Sequence, residues 1–151
     1  MKLLAVVLVA LALAPAAGAA TPAASERAIL RSVNAARVER GLRPLRLDPA
    51  LRRAARAHAG EMLKRGSLGH GDFRRRMVTF KVEGPIVAED LAWGIGSRAE
   101  PRTMVAEWLA SPVHRANLLR PGFNRIGIGA ARGTFHGLPD ALVVTADFAG
   151  S

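Results

Sequence analysis

The chain has 151 residues, 22 Lys+Arg against 12 Asp+Glu for a formal net charge of +10, and no cysteine. That length encloses one hydrophobic core and leaves little room for a second domain, and the lack of cysteine excludes a disulfide framework, so packing must carry the stability. The positive excess favours anionic surfaces such as phospholipid or acidic wall polymer, yet 19 of the 22 cations are arginines scattered along the chain, and with no nucleic-acid motif or aromatic platform no nucleic-acid partner is expected.

Lys2 precedes an uncharged apolar run from Leu3 to Leu13, followed by Pro15 and the small residues Ala16-Ala17-Gly18-Ala19-Ala20. This is the layout of a secretory signal peptide. The run falls short of the roughly 20 apolar residues that span a bilayer as a helix, so no transmembrane anchor is expected in the mature form. Cleavage after Ala19 or Ala20 predicts a secreted or periplasmic chain, of 131 residues when residues 1–20 are removed, and loss of Lys2 lowers its net charge to +9. Residues 21–27 read as a short lead and residues 28–149 as the folded domain.

The mature chain opens with Ser25-Glu26 as a helix start, apolar positions at Ile29, Leu30, Val33 and Ala36, and Gly41 placed to end the helix. Leu42 to Leu47, with Pro44, reads as an extended crossing. Asp48-Pro49 then offers an N-cap and a first-turn proline, and Leu51, Ala54, Ala55, His58 and Met62 line one face of a second helix up to Gly66. From Gly66 to Gly96 the chain is glycine-rich and reads as loops with one short helix. Thr103 is expected to cap a third helix holding Met104, Val105, Trp108 and Leu109, which stops at Ser111-Pro112 because a residue before proline is driven out of helical geometry. A helical turn from His114 to Leu119 follows. Arg125 to Ala130 and Ala141 to Phe148 read as strands of an antiparallel hairpin, with Gly133 to Pro139 as the connection. Helices first and strands last predict an α+β domain.

Four histidines are present: His58, His70, His114 and His136. His58 lies on the apolar helix face, where a buried structural role is expected, and His136 lies in the hairpin connection. His70 sits between Gly69 and Gly71, which let the backbone bend and present the imidazole. His114 follows Pro112 at the junction of two helical pieces.

The string Ser111-Pro112-Val113-His114-Arg115-Ala116-Asn117-Leu118-Leu119, followed by Phe123-Asn124-Arg125-Ile126-Gly127-Ile128-Gly129, resembles a signature of the CAP superfamily (cysteine-rich secretory proteins, antigen 5 and pathogenesis-related proteins; SCP domain), in its bacterial cysteine-free branch. Further landmarks fall in that family's order: Asn34 to Leu45, the face Leu51, Ala55, His58 and Met62, then His70, Glu89-Asp90-Leu91-Ala92-Trp93-Gly94 and Trp108. The resemblance covers about Ala28 to Phe148. It implies an α-β-α sandwich on a small central antiparallel sheet, with a cleft lined by two histidines and two acids, where some members bind zinc or another divalent cation. His70 and His114 match the histidines and Glu89 the first acid, and neutral imidazoles with a carboxylate are good zinc ligands. The second acid of the pattern falls at Ser111 in this chain. Glu107, one helical turn earlier on the same face, is a candidate stand-in. Asp90 replaces the family's usual asparagine.

The resemblance implies a binding role, with a lipid or cell-envelope molecule as extracellular ligand, more than one agreed reaction. No His-Glu-x-x-His pair or Gly-x-Ser-x-Gly elbow points to catalysis. The alternative is a metal-assisted hydrolase of cell-envelope or peptide substrates, with Glu89 as base to a metal-bound water. A third reading, a basic adhesin for anionic lipid or wall polymer, needs only the charge. A monomer is expected.

Overall fold

The computed structural model describes residues 19–150, so the signal-peptide reading lies almost wholly outside it. Among the described residues, no helix is long and apolar enough to cross a membrane.

Helix α1 runs Pro22–Val38. It starts ahead of the expected Ser25, because Thr21 caps it by accepting from Ala24 N at 3.3 Å and Pro22 supplies a first-turn φ at no hydrogen-bond cost. Gly41, at φ 71°, turns the chain out of the helix region. A two-residue strand β1, Arg46–Leu47, leads into α2, Pro49–Arg65. The Asp48 carboxylate accepts from Ala50 N and Leu51 N at 2.8 and 3.0 Å, and Gly66 closes the helix in left-handed geometry, as the local sequence predicts.

The segment expected to be loops with one short helix contains more order. Helix α3 spans Phe73–Thr79, and Ile86–Gly94 is strand β2, paired antiparallel along its whole length with the last strand. A short 3-10 turn, Gly96–Ala99, then leads into α4, Pro101–Ala110, which starts two residues ahead of the expected cap Thr103. Helix α5 covers Pro112–Leu118.

Strands β3, Phe123–Phe135, and β4, Leu138–Gly150, extend into the stretch read as a connection. The turn shrinks to His136 and Gly137, both at positive φ, which suits a tight hairpin. The sheet order is β1-β3-β4-β2, antiparallel except for β1, which pairs parallel to β3 and makes the sheet mixed.

Side-chain alternation along β4 builds two core layers. Leu142, Val144, Ala146 and Phe148 pack with Ile126 and Ile128 against Ile29 and Val33 of α1 and Met104, Val105 and Trp108 of α4. Ala141, Val143 and Ala149 face the other way, toward Leu51, Ala54 and Met62 of α2 and Met77 of α3. The glycines of β3 bring α2 down onto the sheet: a Cβ at Gly127 would lie 2.1 Å from the Leu51 carbonyl carbon, and one at Gly129 2.1 Å from that of Ala55. This is an α-β-α sandwich, and β2 at one edge of the sheet carries the acids of the candidate site between α3 and α5.

Candidate functional site

Strand β2 places Glu89 toward the α2 layer and Asp90 toward the α4 and α5 layer, because neighbouring strand residues point to opposite faces. The Glu89 side chain is buried at 2% exposure, whereas that of His70 is 61% exposed. His70 Nδ1 donates to Glu89 Oε1 at 2.6 Å, which fixes the tautomer and leaves Nε2 with its lone pair turned away from the carboxylate. The backbone behind His70 is also held. His58, fully buried on α2, donates from Nε2 to the Gly69 carbonyl at 2.9 Å, and Arg76 donates from Nη1 to the His70 carbonyl at 3.1 Å. His58 therefore has the structural role its position predicts.

Arg76 is a member of the site that the sequence does not announce. Its neighbours Arg74 and Arg75 are exposed, while Arg76 is buried and its Nη2 makes an ion pair with Glu89 Oε2. The Asp72 side chain caps α3 by accepting from Arg75 N at 2.9 Å, so the helix that aims Arg76 begins soon after His70. Both Glu89 oxygens thus carry a charge-assisted bond, one to an imidazole and one to a guanidinium.

Asp147 is the second unannounced member. It is paired with Glu89 in the β2–β4 ladder and is fully buried, with neither carboxyl oxygen hydrogen-bonded. Burial, and then the neighbouring Glu89 charge, push its carboxyl well above the usual range. The signal was a lone acid in the β-branched run from Ala141 to Phe148, at a position where the alternation points inward.

His114 lies in the first turn of α5, half-buried. Burial, and then the charge of nearby His70, hold its imidazole below the ordinary histidine range, so it is neutral at neutral pH. The opposite face of β2 anchors its helix through Asn117, whose Nδ2 donates to Asp90 Oδ1 at 2.7 Å. His70 comes from a loop and bonds Glu89 on strand β2, whereas His114 comes from a helix fastened to the opposite face of that strand, with His70 near enough to act on it electrostatically.

Glu107 and Ser111 stand apart from this network. Glu107 is exposed and pairs with Arg98 at 3.2 Å. Ser111 is half-buried at the α4–α5 junction, where its N–H closes α4 on the Glu107 carbonyl at 3.1 Å and its side chain makes no cap bond. Among the described residues, no three His, Cys, Asp or Glu side chains are arranged to hold a metal ion. Two imidazoles offer nitrogen donors suited to zinc, but Glu89 is engaged by His70 and Arg76 rather than turned toward a shared ion.

Residues 30–148 match the sequence profile of the cysteine-rich secretory protein (CAP) family. The uncharacterized protein YkwD of Bacillus subtilis (strain 168) is 32% identical over 111 residues, which make up 70% of this chain and 42% of that protein, so the chain spans less than half of this relative's length. An extracellular SCP-domain protein from Bacillus anthracis str. Ames superposes with a TM-score of 0.72 at 22% identity, over 89% of this chain and 45% of that one. An outer surface protein from Borrelia burgdorferi gives 0.66 at 22% identity, over 84% of this chain and 93% of that one. Profile, identity and sandwich agree, and the chain belongs to the cysteine-rich secretory protein (CAP) family.

Proposed function

We propose that this chain is an exported CAP-domain binding module whose cleft holds a divalent cation through the imidazoles of His70 and His114, and with it an extracellular ligand such as a lipid or cell-envelope molecule. The observation that carries the reading is the 2.6 Å bond from His70 Nδ1 to buried Glu89. A histidine that gives one ring N–H to a carboxylate presents its other nitrogen as a basic, oriented donor, the arrangement metal-binding histidines use. Neutral His114 supplies a second nitrogen, and water completes the shell. The extracellular and outer-surface solved structures of this fold, together with the apolar leader at residues 3–13, support export. Binding is favoured over hydrolysis because a general base needs a free carboxylate facing the water, and both oxygens of Glu89 are already bonded.

Titration calorimetry of the chain lacking residues 1–20 with zinc chloride at neutral pH tests the cation. Binding near one equivalent is expected, with loss in His70→Ala and in His114→Ala. No heat from the folded parent protein overturns the cation reading.

A further inference from the structure

We infer that the hollow bordered by the starts of α1 and α4 and by the β3–β4 hairpin is the seat of the chain's own processed N-terminus. A leader cut after Ala19 frees the α-ammonium of Ala20 against Glu100, Asp140 and the Ser25 hydroxyl, and so fastens the start of α1 to α4 and to the hairpin. The inference rests on the export part of the proposal above and is independent of its cation.

The cut is a hydrolysis. Water, used by a leader peptidase of the exporting cell, splits the Ala19–Ala20 amide; the new carboxylate leaves with residues 1–19, and the amine left on Ala20 takes the proton. Ala17-Gly18-Ala19 is the kind of small-residue triplet that such a cut follows. A cut one residue later would place the charge on Thr21, the cap of α1, directly against the positive end of the helix dipole.

Three observations make the hollow fit an ammonium. The first is position. A space of about 260 Å³ is lined by Ala19 and Ala20 together with Ser25, Glu100, Arg132 and Asp140, and its width of about 8 Å lies within the screening length of physiological salt, so these charges act on one another. The second is charge. Asp140 and Arg132 pair at 3.2 Å, whereas the exposed Glu100 carboxylate makes no cap bond to α4 and enters no ion pair among the described residues. The wall therefore carries one uncompensated negative charge in a chain of net charge +10, while α1 has no acid in its first turn and the 3-10 turn lends the wall no charged residue. The third is hydrogen bonding. Ser25 is 1% exposed and its hydroxyl has no partner. A buried hydroxyl left so is costly, and an ammonium brings three N–H donors, enough for both acids and the hydroxyl. Before the cut, Ala20 carries only an uncharged amide, so processing itself supplies the ion that the wall lacks.

The test compares the chain that begins at Ala20 with a free amine against the same chain acetylated there, in thermal melts at about pH 6.5 and about pH 10. Docking predicts that the free-amine chain melts about 2–4 °C higher at the lower pH. A docked ammonium holds its proton more tightly than a free one. Its advantage is therefore complete below about pH 7.7, falls as pH rises through the raised folded-state value, and is gone by about pH 10. Without docking the sign reverses, because an ammonium near the start of a helix opposes the dipole and acetylation removes it. An acetylated chain that melts as high as the free-amine chain at the lower pH, or higher, overturns the inference. Glu100→Gln, a surface change, isolates the pair: loss of about half the free-amine advantage or more supports the inference, and a smaller loss overturns it. Mass spectrometry of the chain exported from a bacterial host tests the cut apart from the docking. A first residue of Ala20 supports the inference, whereas any other, or an uncut chain, overturns its link to export and leaves the melts to decide whether an Ala20 ammonium docks.

Discussion

Asp90 Oδ1 accepts a 2.7 Å hydrogen bond from Asn117 Nδ2, and through it the strand that carries Glu89 is fastened to the helix that carries His114. Its other oxygen is buried without a partner. Burial pushes the Asp90 carboxyl up to about 7, against a partial offset from Asn117. An acid whose folded-state pKa is raised binds its proton more tightly in the folded state. Its stability term is therefore most favourable in acid, declines as pH rises from about 4 to about 7, and is constant above that. The cost at alkaline pH has a ceiling of about 4 kcal/mol for a shift of this size. Asp90→Asn removes the titration, so its melting temperature should exceed that of the parent by several degrees at about pH 8 and match it near pH 4. Thermal melts across that range check the sign. A variant no more stable at the alkaline end contradicts the account, and some slope should persist in it because Asp147 is shifted in the same direction.

Gly129 and Gly60 predict opposite outcomes for the same substitution. A Cβ at Gly129 would lie 2.1 Å from the Ala55 carbonyl carbon, a backbone clash relieved only by lifting α2 off β3. Gly129→Ala should destabilise by on the order of 3 kcal/mol or prevent folding. Gly60 lies inside α2, with nothing within 4 Å of its would-be Cβ. Gly60→Ala should stabilise by about 0.5–1 kcal/mol, because alanine loses less backbone entropy in a helix. Urea unfolding of both variants compares the two.

Arg37, on α1, is fully buried without a carboxylate partner and donates to four backbone carbonyls, those of Arg43, Leu118, Arg120 and Phe123, at 2.7–3.2 Å. It thereby ties the carbonyls at the end of α5 and the start of β3 to α1, the Arg120 carbonyl accepting from Phe123 N at 3.2 Å as well. Burial holds its guanidinium below the usual arginine range. Arg37→Met keeps most of the volume and removes those four bonds, with an expected loss of about 3 kcal/mol or more in denaturant unfolding. Arg37→Lys should recover only part of it, since one ammonium cannot span the four positions.

What was legible in the sequence was local. Asp48, Pro49 and Gly66 announce α2 because capping and turn chemistry act within a few residues, and Ser111-Pro112 marks the end of α4 for the same reason. Strand β2 was not legible: its middle reads Ala88-Glu89-Asp90-Leu91, with two acids, and its extended form is decided by cross-strand partners on β4, far along the chain. Arg76 was hidden in a run of three arginines of which two face solvent. The His70, Glu89 and His114 positions came from family resemblance. Their physical relation, with Glu89 shared between an imidazole and a guanidinium, came only from the fold.

His58 tests how far the site depends on its support. Its Nε2 donates to the Gly69 carbonyl at 2.9 Å, and burial holds its imidazole below the ordinary histidine range, so at neutral pH it is an uncharged donor. Its Nε2 lies 3.8 Å from Glu89 Oε2 but is committed to the loop. His58→Ala removes that tether and leaves the Gly69 carbonyl without its partner. The loop carrying His70 should then exchange its amide hydrogens faster across residues 67–71, and zinc affinity should fall about tenfold, the scale typical of losing a residue that orients a ligand. His58→Gln, which retains an N–H donor at the end of the side chain, should restore part of both. If His58→Ala instead abolishes zinc binding as completely as His70→Ala while the loop stays protected from exchange, His58 is itself a ligand and the tether account fails.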